Sequence, residues 1–247
     1  MATDIPSSTP FGGSDAQHWD EPWILTGPGG RHSSAVPESL TDTSRDIPGT
    51  VQADLASRGL SARSRTLADD CFIRRAENLI QLVPSLAQEV LRLVDSLFIL
   101  DIPDPCYDQS HSEPAYPGMV LVSLPPSDEV GALRLAEGIV HEAMHLNLSE
   151  SEQRVPLVAG EARLYSPWRQ GERSASGVLH GAYVFACVRR FLKIVSPSLD
   201  DRLARHATKR QNEIQEEAAN VDWVFLADHL TPRGIALLKE IRLACAS

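Results

Sequence analysis

From about Val51 onward, apolar positions recur mostly at helical spacing. Leu55, Leu60 and Leu67, then Phe72, Ile73, Ala76, Leu79, Ile80 and Val83, then Leu86, Val90, Leu93, Val94 and Leu97 predict two or three amphipathic helices broken near Pro84. The period then changes. Phe98-Ile99-Leu100-Asp101-Ile102 and Met119-Val120-Leu121-Val122-Ser123-Leu124 are short β-prone runs, separated by a polar, proline-rich loop from Pro103 to Gly118. Pro125 and Pro126 stop the second run, and Ser127 and Asp128 can cap a helix in which Leu133, Ala136, Val140 and Met144 form one apolar row. Leu135, Ile139 and Leu146 form another, so this helix is expected to be buried on more than one side and to run out near Ser149 to Glu152.

An irregular segment from Pro156 to Arg173 follows. The next helix begins near Ser176-Gly177 and carries His180, Tyr183, Val184, Val188, Phe191 and Leu192. In the tail, Ser198 with Asp201 opens one further helix, and Thr231-Pro232, with proline at the first helical position, opens the last. The expected fold class is mainly α, a single helical domain over 51–247 with a small two-stranded β element next to the central helix.

Composition alters this picture mainly at the N-terminus. Residues 1–50 are half Gly, Pro, Ser and Thr and carry seven acids against Arg31 and Arg45, which is half of the chain's net charge of −10. Such a segment buries too little apolar surface to offset its ordering entropy, so it is expected to be largely disordered. Its exception is Trp19-Asp20-Glu21-Pro22-Trp23, which could serve as a short anchor. The acidic balance argues against nucleic-acid and anionic-membrane partners. The four cysteines, Cys71, Cys106, Cys187 and Cys245, are widely spaced and read as free thiols of a reducing compartment. No secretion signal or spanning apolar run is visible, so a cytoplasmic location is the default expectation.

The candidate chemistry lies in His141-Glu142-Ala143-Met144-His145. Two histidines four apart share one helix face, where both rings can converge on a metal ion, while Glu142 points about a quarter-turn away. Gly138, one turn earlier, suggests a close approach to the helix backbone. Leu148 and Ser151 stand where a metzincin would have glycine and histidine, which excludes that class. Two choices of third ligand remain. Glu161 would complete a zinc metallopeptidase with Glu142 as general base. His180 would leave one side of the metal open, as in non-haem iron oxygenases, with Arg169 and Arg173 suited to a distal carboxylate of 2-oxoglutarate. His111 reads as solvated, and Glu137 reads as a surface acid that could alternatively orient a ligand.

Tyr165-Ser166-Pro167-Trp168-Arg169, then Arg173, then Gly177-Val178-Leu179-His180-Gly181-Ala182-Tyr183, together with Ala136 to His145, resemble the HExxH peptide-modification domain of ribosomal-peptide biosynthesis. The likeness runs from about Pro117 to the C-terminus and departs from the family pattern at Ser174, where a proline is common. It implies an Fe(II)- and 2-oxoglutarate-dependent oxygenase that consumes O2 and hydroxylates a side-chain Cβ of a precursor peptide, in some systems with a leader-binding partner protein. It also implies iron on His141, His145 and His180; 2-oxoglutarate on Arg169, aided by Arg173, Tyr165 or Ser166; Glu142 orienting a ligand or water; and Trp168 lining the pocket.

Overall fold

A computed structural model describes residues 36–102, 108–112, 115–128 and 130–246. The fold is mainly helical, as expected. After a 3-10 turn at Leu40–Asp42, the chain forms α1 (Gly49–Ser57), β1 (Ala62–Arg63), α2 (Leu67–Ile80), α3 (Pro84–Leu93) and β2 (Ser96–Leu100). Pro84 stands in the first turn of α3, where its missing N–H costs nothing. Thr66 and Asp69 form a capping box that opens α2. The packed body begins before residue 50. Leu40 is buried, its N–H donates to Glu77 Oε1 at 2.9 Å, and Arg65 holds its carbonyl at 3.1 Å. The Trp19–Trp23 anchor lies outside the described residues.

The two β-prone runs do pair, as parallel neighbours β2 and β4 (Met119–Val122), with Leu97 opposite Val120 and Ile99 opposite Val122. The β element is larger than expected, however. β1 adds to β2, and β3 (Ser110–Ser112), inside the stretch read as loop, adds antiparallel to β4, giving the order β1-β2-β4-β3. The runs lack polar alternation because both faces of the sheet are covered. Leu97, Ile99, Val120 and Val122 join the main core, whereas Phe98, Leu100, Met119 and Leu121 meet Leu55 and Ala62 on the other side.

The long helix α4 (Gly131–Arg154) follows. Asp128 Oδ1 accepts from the N–H groups of Val130 and Gly131 at 3.1 and 2.8 Å, so the expected cap is present. Gly131 is required, because a Cβ there would stand 2.2 Å from the Pro126 carbonyl oxygen. The helix ends at Arg154, about a turn beyond expectation.

The segment read as irregular folds into a hairpin, β5 (Arg163–Ser166) and β6 (Gly171–Ser174). The buried helix α5 (Ala175–Val195) starts immediately after it, with Ser174 Oγ accepting from Gly177 N–H at 3.1 Å. Then come α6 (Asp201–Ala219), α7 (Trp223–Ala227) and α8 (Pro232–Ala246). Asp200, not Ser198, caps α6, and Thr231 caps α8. Among the described residues Cys71, Cys187 and Cys245 are free thiols, and no helix is long and apolar enough to cross a membrane.

Candidate metal centre

Helices α4 and α5 pack face to face and carry the three histidines. A buried polar chain fixes their relative position: Tyr183 Oη donates to Asn147 Oδ1 at 3.0 Å, and Asn147 Nδ2 donates to Glu89 Oε1. Arg92 bridges Glu89 to Glu150. Satisfying these groups in a dry interior demands one register of α5 against α4, and that register brings His180 to His145.

The rings of His145 and His180 stand 5.6 Å apart, nearly parallel, with their Nδ1 atoms 3.3 Å apart. His141 meets His145 edge-on at 4.8 Å between ring centres. The Nε2 of His180 lies 2.7 Å from Glu152 Oε2. When the Glu152 carboxylate accepts from Nε2–H, the neutral tautomer of His180 carries its lone pair on Nδ1, facing His145, whose Nδ1 then donates across the 3.3 Å. All three rings, with Glu142, Glu150, Gln153, Arg169, Ser110 and His111, line one cleft of about 660 Å³.

Burial holds the paired rings neutral. It pulls His141 down to about 4, with the positive charges of Arg169 and Arg210 adding to the effect. It pulls His145 to about 3, with His141, His180 and Arg169 adding and Glu142 opposing. Two neutral imidazoles at pH 7 are two available lone pairs. Glu142 accepts from Ser110 Oγ at 2.6 Å and stands 3.8 Å from His141 Nε2.

Two of the three rings, His145 and His180, have the spacing that a first-row metal ion needs. Two nitrogens bound at about 2.0–2.1 Å in a tetrahedron stand about 3.3 Å apart, which is the observed Nδ1 separation. As the chain stands, no group of three His, Cys, Asp or Glu among the described residues is closed around one point; His141 is the outer member of the trio.

Not every residue in the expected site reaches the cleft. Arg169 does, and among the described residues it has no ion-pair partner. Its position follows from the β5–β6 turn, where its N–H donates to Ser166 carbonyl at 3.2 Å and Gln170 adopts a φ of 49°. Strand alternation separates the others. In β5 Leu164 and Ser166 face inward, while Tyr165 is exposed and pairs with Glu172. Arg173 is exposed on β6 opposite Leu164, and Ser166 is buried without lining the cleft.

Trp168 packs behind the site, stacked on Phe185 at 5.4 Å, with Phe185 against His141 at 5.0 Å. A Cβ at Gly181 would stand 2.8 Å from the Trp168 ring, so the tryptophan of one motif block lies flat on the glycine of another. Glu161 is exposed in the loop before β5 and does not line the cleft, which removes the third ligand from the peptidase alternative.

Glu152 and Ser110 were missed by sequence reasoning. Glu152 follows His145 by seven residues, two turns along the same face, and one more turn of helix in the prediction would have revealed it. His111 lies on β3 in the cleft wall, and Glu137 is a half-buried partner of His206 and Arg210, not a surface acid. Gly138 is approached by Ser110 Cβ only to 3.8 Å from an added Cβ, so the expected close approach leaves room for a methyl group. No protein-family profile and no curated protein matches the chain.

Proposed function

We propose that the chain is an Fe(II)- and 2-oxoglutarate-dependent oxygenase that hydroxylates a side-chain Cβ of a ribosomally made precursor peptide. The observation that carries this reading is the His145–His180 pair at 3.3 Å in a cleft that also holds Arg169, a guanidinium with no ion-pair partner among the described residues. His141, His145 and His180 would hold the iron, which with 2-oxoglutarate and O2 supplies the oxidising power for C–H hydroxylation.

The chain's own residues have separable tasks. Glu152 fixes the tautomer and ring plane of His180. Arg169 offers two parallel N–H donors to a carboxylate. Ser110 keeps Glu142 turned along the cleft wall, where it orients water or a ligand. Trp168 and Phe185 form an aromatic backing that keeps water from His141 on that side.

Anaerobic addition of Fe(II) and 2-oxoglutarate should give a weak visible charge-transfer band, and Arg169→Ala should weaken 2-oxoglutarate binding roughly 10- to 100-fold, the range for a hydrogen bond to a charged group. A metallated protein without the band sinks the reading. A zinc peptidase would instead lose activity in Glu142→Gln and tolerate Arg169→Ala.

A further inference from the structure

The metal chemistry leaves one wall of the cleft unexplained. β3 is the outermost strand of its sheet, and all three of its residues line the cleft with His141, His145 and His180. Its pairing fixes where its backbone points. Ser123 N–H donates to Gln109 carbonyl at 2.8 Å, so Gln109 and Ser123 form a hydrogen-bonded pair of the antiparallel ladder. Such pairs alternate with non-bonded ones. In the register Ser110–Val122, His111–Leu121, Ser112–Val120, His111 is therefore bonded to β4, while Ser110 and Ser112 turn their N–H and C=O groups away from it. Among the described residues nothing accepts or donates there.

We propose that an extended peptide docks on this edge as an added strand, its backbone bonded to Ser110 and Ser112; what is then done to the peptide rests on the function proposed above. Two outward residues, each with one donor and one acceptor and about 6.8 Å apart along the strand, match the repeat of another extended backbone, which makes a peptide main chain the occupant. The side chain of Ser110 does not obstruct it, because its hydroxyl points at Glu142 on α4. That contact also shows which face of β3 looks at α4. Every second side chain of the docked peptide turns to the same face, toward the helix that carries His141 and His145.

The test is an affinity selection of randomised linear ten-residue peptides, acetylated and amidated, on the full chain with and without added Fe(II). The recovered peptide is then remade with a single N-methyl amide at each position in turn. Binding should fall roughly three- to tenfold at two positions that are two residues apart, with no change at the position between them or elsewhere, the size expected for one main-chain hydrogen bond. Ser112→Pro should cause a loss of the same size, because it removes an outward N–H without breaking a bond to β4, and Ser112→Ala should cause none. Recovery of no peptide, or a methylation profile without alternation, overturns the proposal. So does slow hydrogen exchange at Ser110 and Ser112 in the chain alone, which would mean that one of its own segments already occupies the edge. An alternating profile in protein that takes up no metal supports docking while sinking the oxygenase reading; metal uptake with a flat profile does the reverse.

Discussion

Around Arg65, three guanidinium groups close on the carboxylates of Asp69 and Asp70; around His145, imidazoles crowd toward one another while two acids, Glu152 and Glu142, stand at their edges. In the first region Arg65 is fully buried, with Nη1 on Asp70 and Leu40 carbonyl and Nη2 on Thr43 carbonyl. Arg45 closes on Asp70, and Arg63 grips both oxygens of Asp69. Apart from the Nε groups of Arg45 and Arg65, the strong donors and acceptors are consumed internally, which ties the N-terminal turn and β1 to α2. In the second region His180 gives its Nε2 to Glu152 and keeps Nδ1 aimed at His145, in a cleft open to ligands. A closed polar cluster holds the fold together; one whose ring nitrogens converge beside an open cleft is suited to hold something else.

The largest expected effect breaks the closed cluster. Arg65→Ala leaves Asp70 to Arg45 alone, strands the buried Leu40 and Thr43 carbonyls and should cost about 2–5 kcal/mol, read by denaturant unfolding, without altering metal stoichiometry. The open cluster should respond the other way. Glu152→Gln should lower first-row metal affinity about 10- to 100-fold in chelator competition, with little change in the unfolding midpoint. A large loss of stability with unchanged metal affinity would make Glu152 a structural residue and erase the contrast.

Acid separates the clusters by pH. Burial alone would raise Asp69, but hydrogen bonds from Arg63 and from Thr66 bring it to about 2, so its contribution is full above pH 4 and lost as pH falls toward 2. His141 and His145 have folded values near 4 and 3, below the 6.5 of an exposed histidine. Protonation therefore favours the unfolded metal-free chain, whose stability should fall most steeply between pH 6.5 and about 4, where both histidines contribute, and keep falling more gently to about pH 2 as Asp69 is protonated. A single step confined to the lower range would show the histidines to be exposed. The smallest effect is a gain: Gly138→Ala should stabilise by about 0.5–1 kcal/mol, since a methyl there meets Ser110 and Val122 at ordinary contact distance.

The local elements were legible where short-range chemistry governs them. The Pro84 break, the Asp128 cap, the Thr231-Pro232 start and the period of α4 follow from groups a few residues apart, and the structure has each of them. Strand β3 was not legible, because Ser-His-Ser carries no alternation and becomes a strand only by pairing with β4. The β5–β6 hairpin was hidden for a similar reason: its inward face is just Leu164 and Ser166. Within the site, His141 and His145 were placed together by the helix repeat itself. Tyr165 and Arg173 were expected to aid Arg169 in binding 2-oxoglutarate, and only the facing of the hairpin turned them outward while leaving Arg169 in the cleft.

The sequence by itself determined that the chain is mainly helical, where α3, α4 and α8 start, and that two imidazoles share a face, since capping groups and the helix repeat act over a few residues. Tertiary structure decided that His180 meets that pair, that Glu152 orients it and that β3 walls the cleft. Those contacts join residues 28 to 35 positions apart and helix to strand, and they depend on how buried polar groups such as Tyr183, Asn147 and Glu89 can all be satisfied at once, a condition of packing that no local pattern encodes.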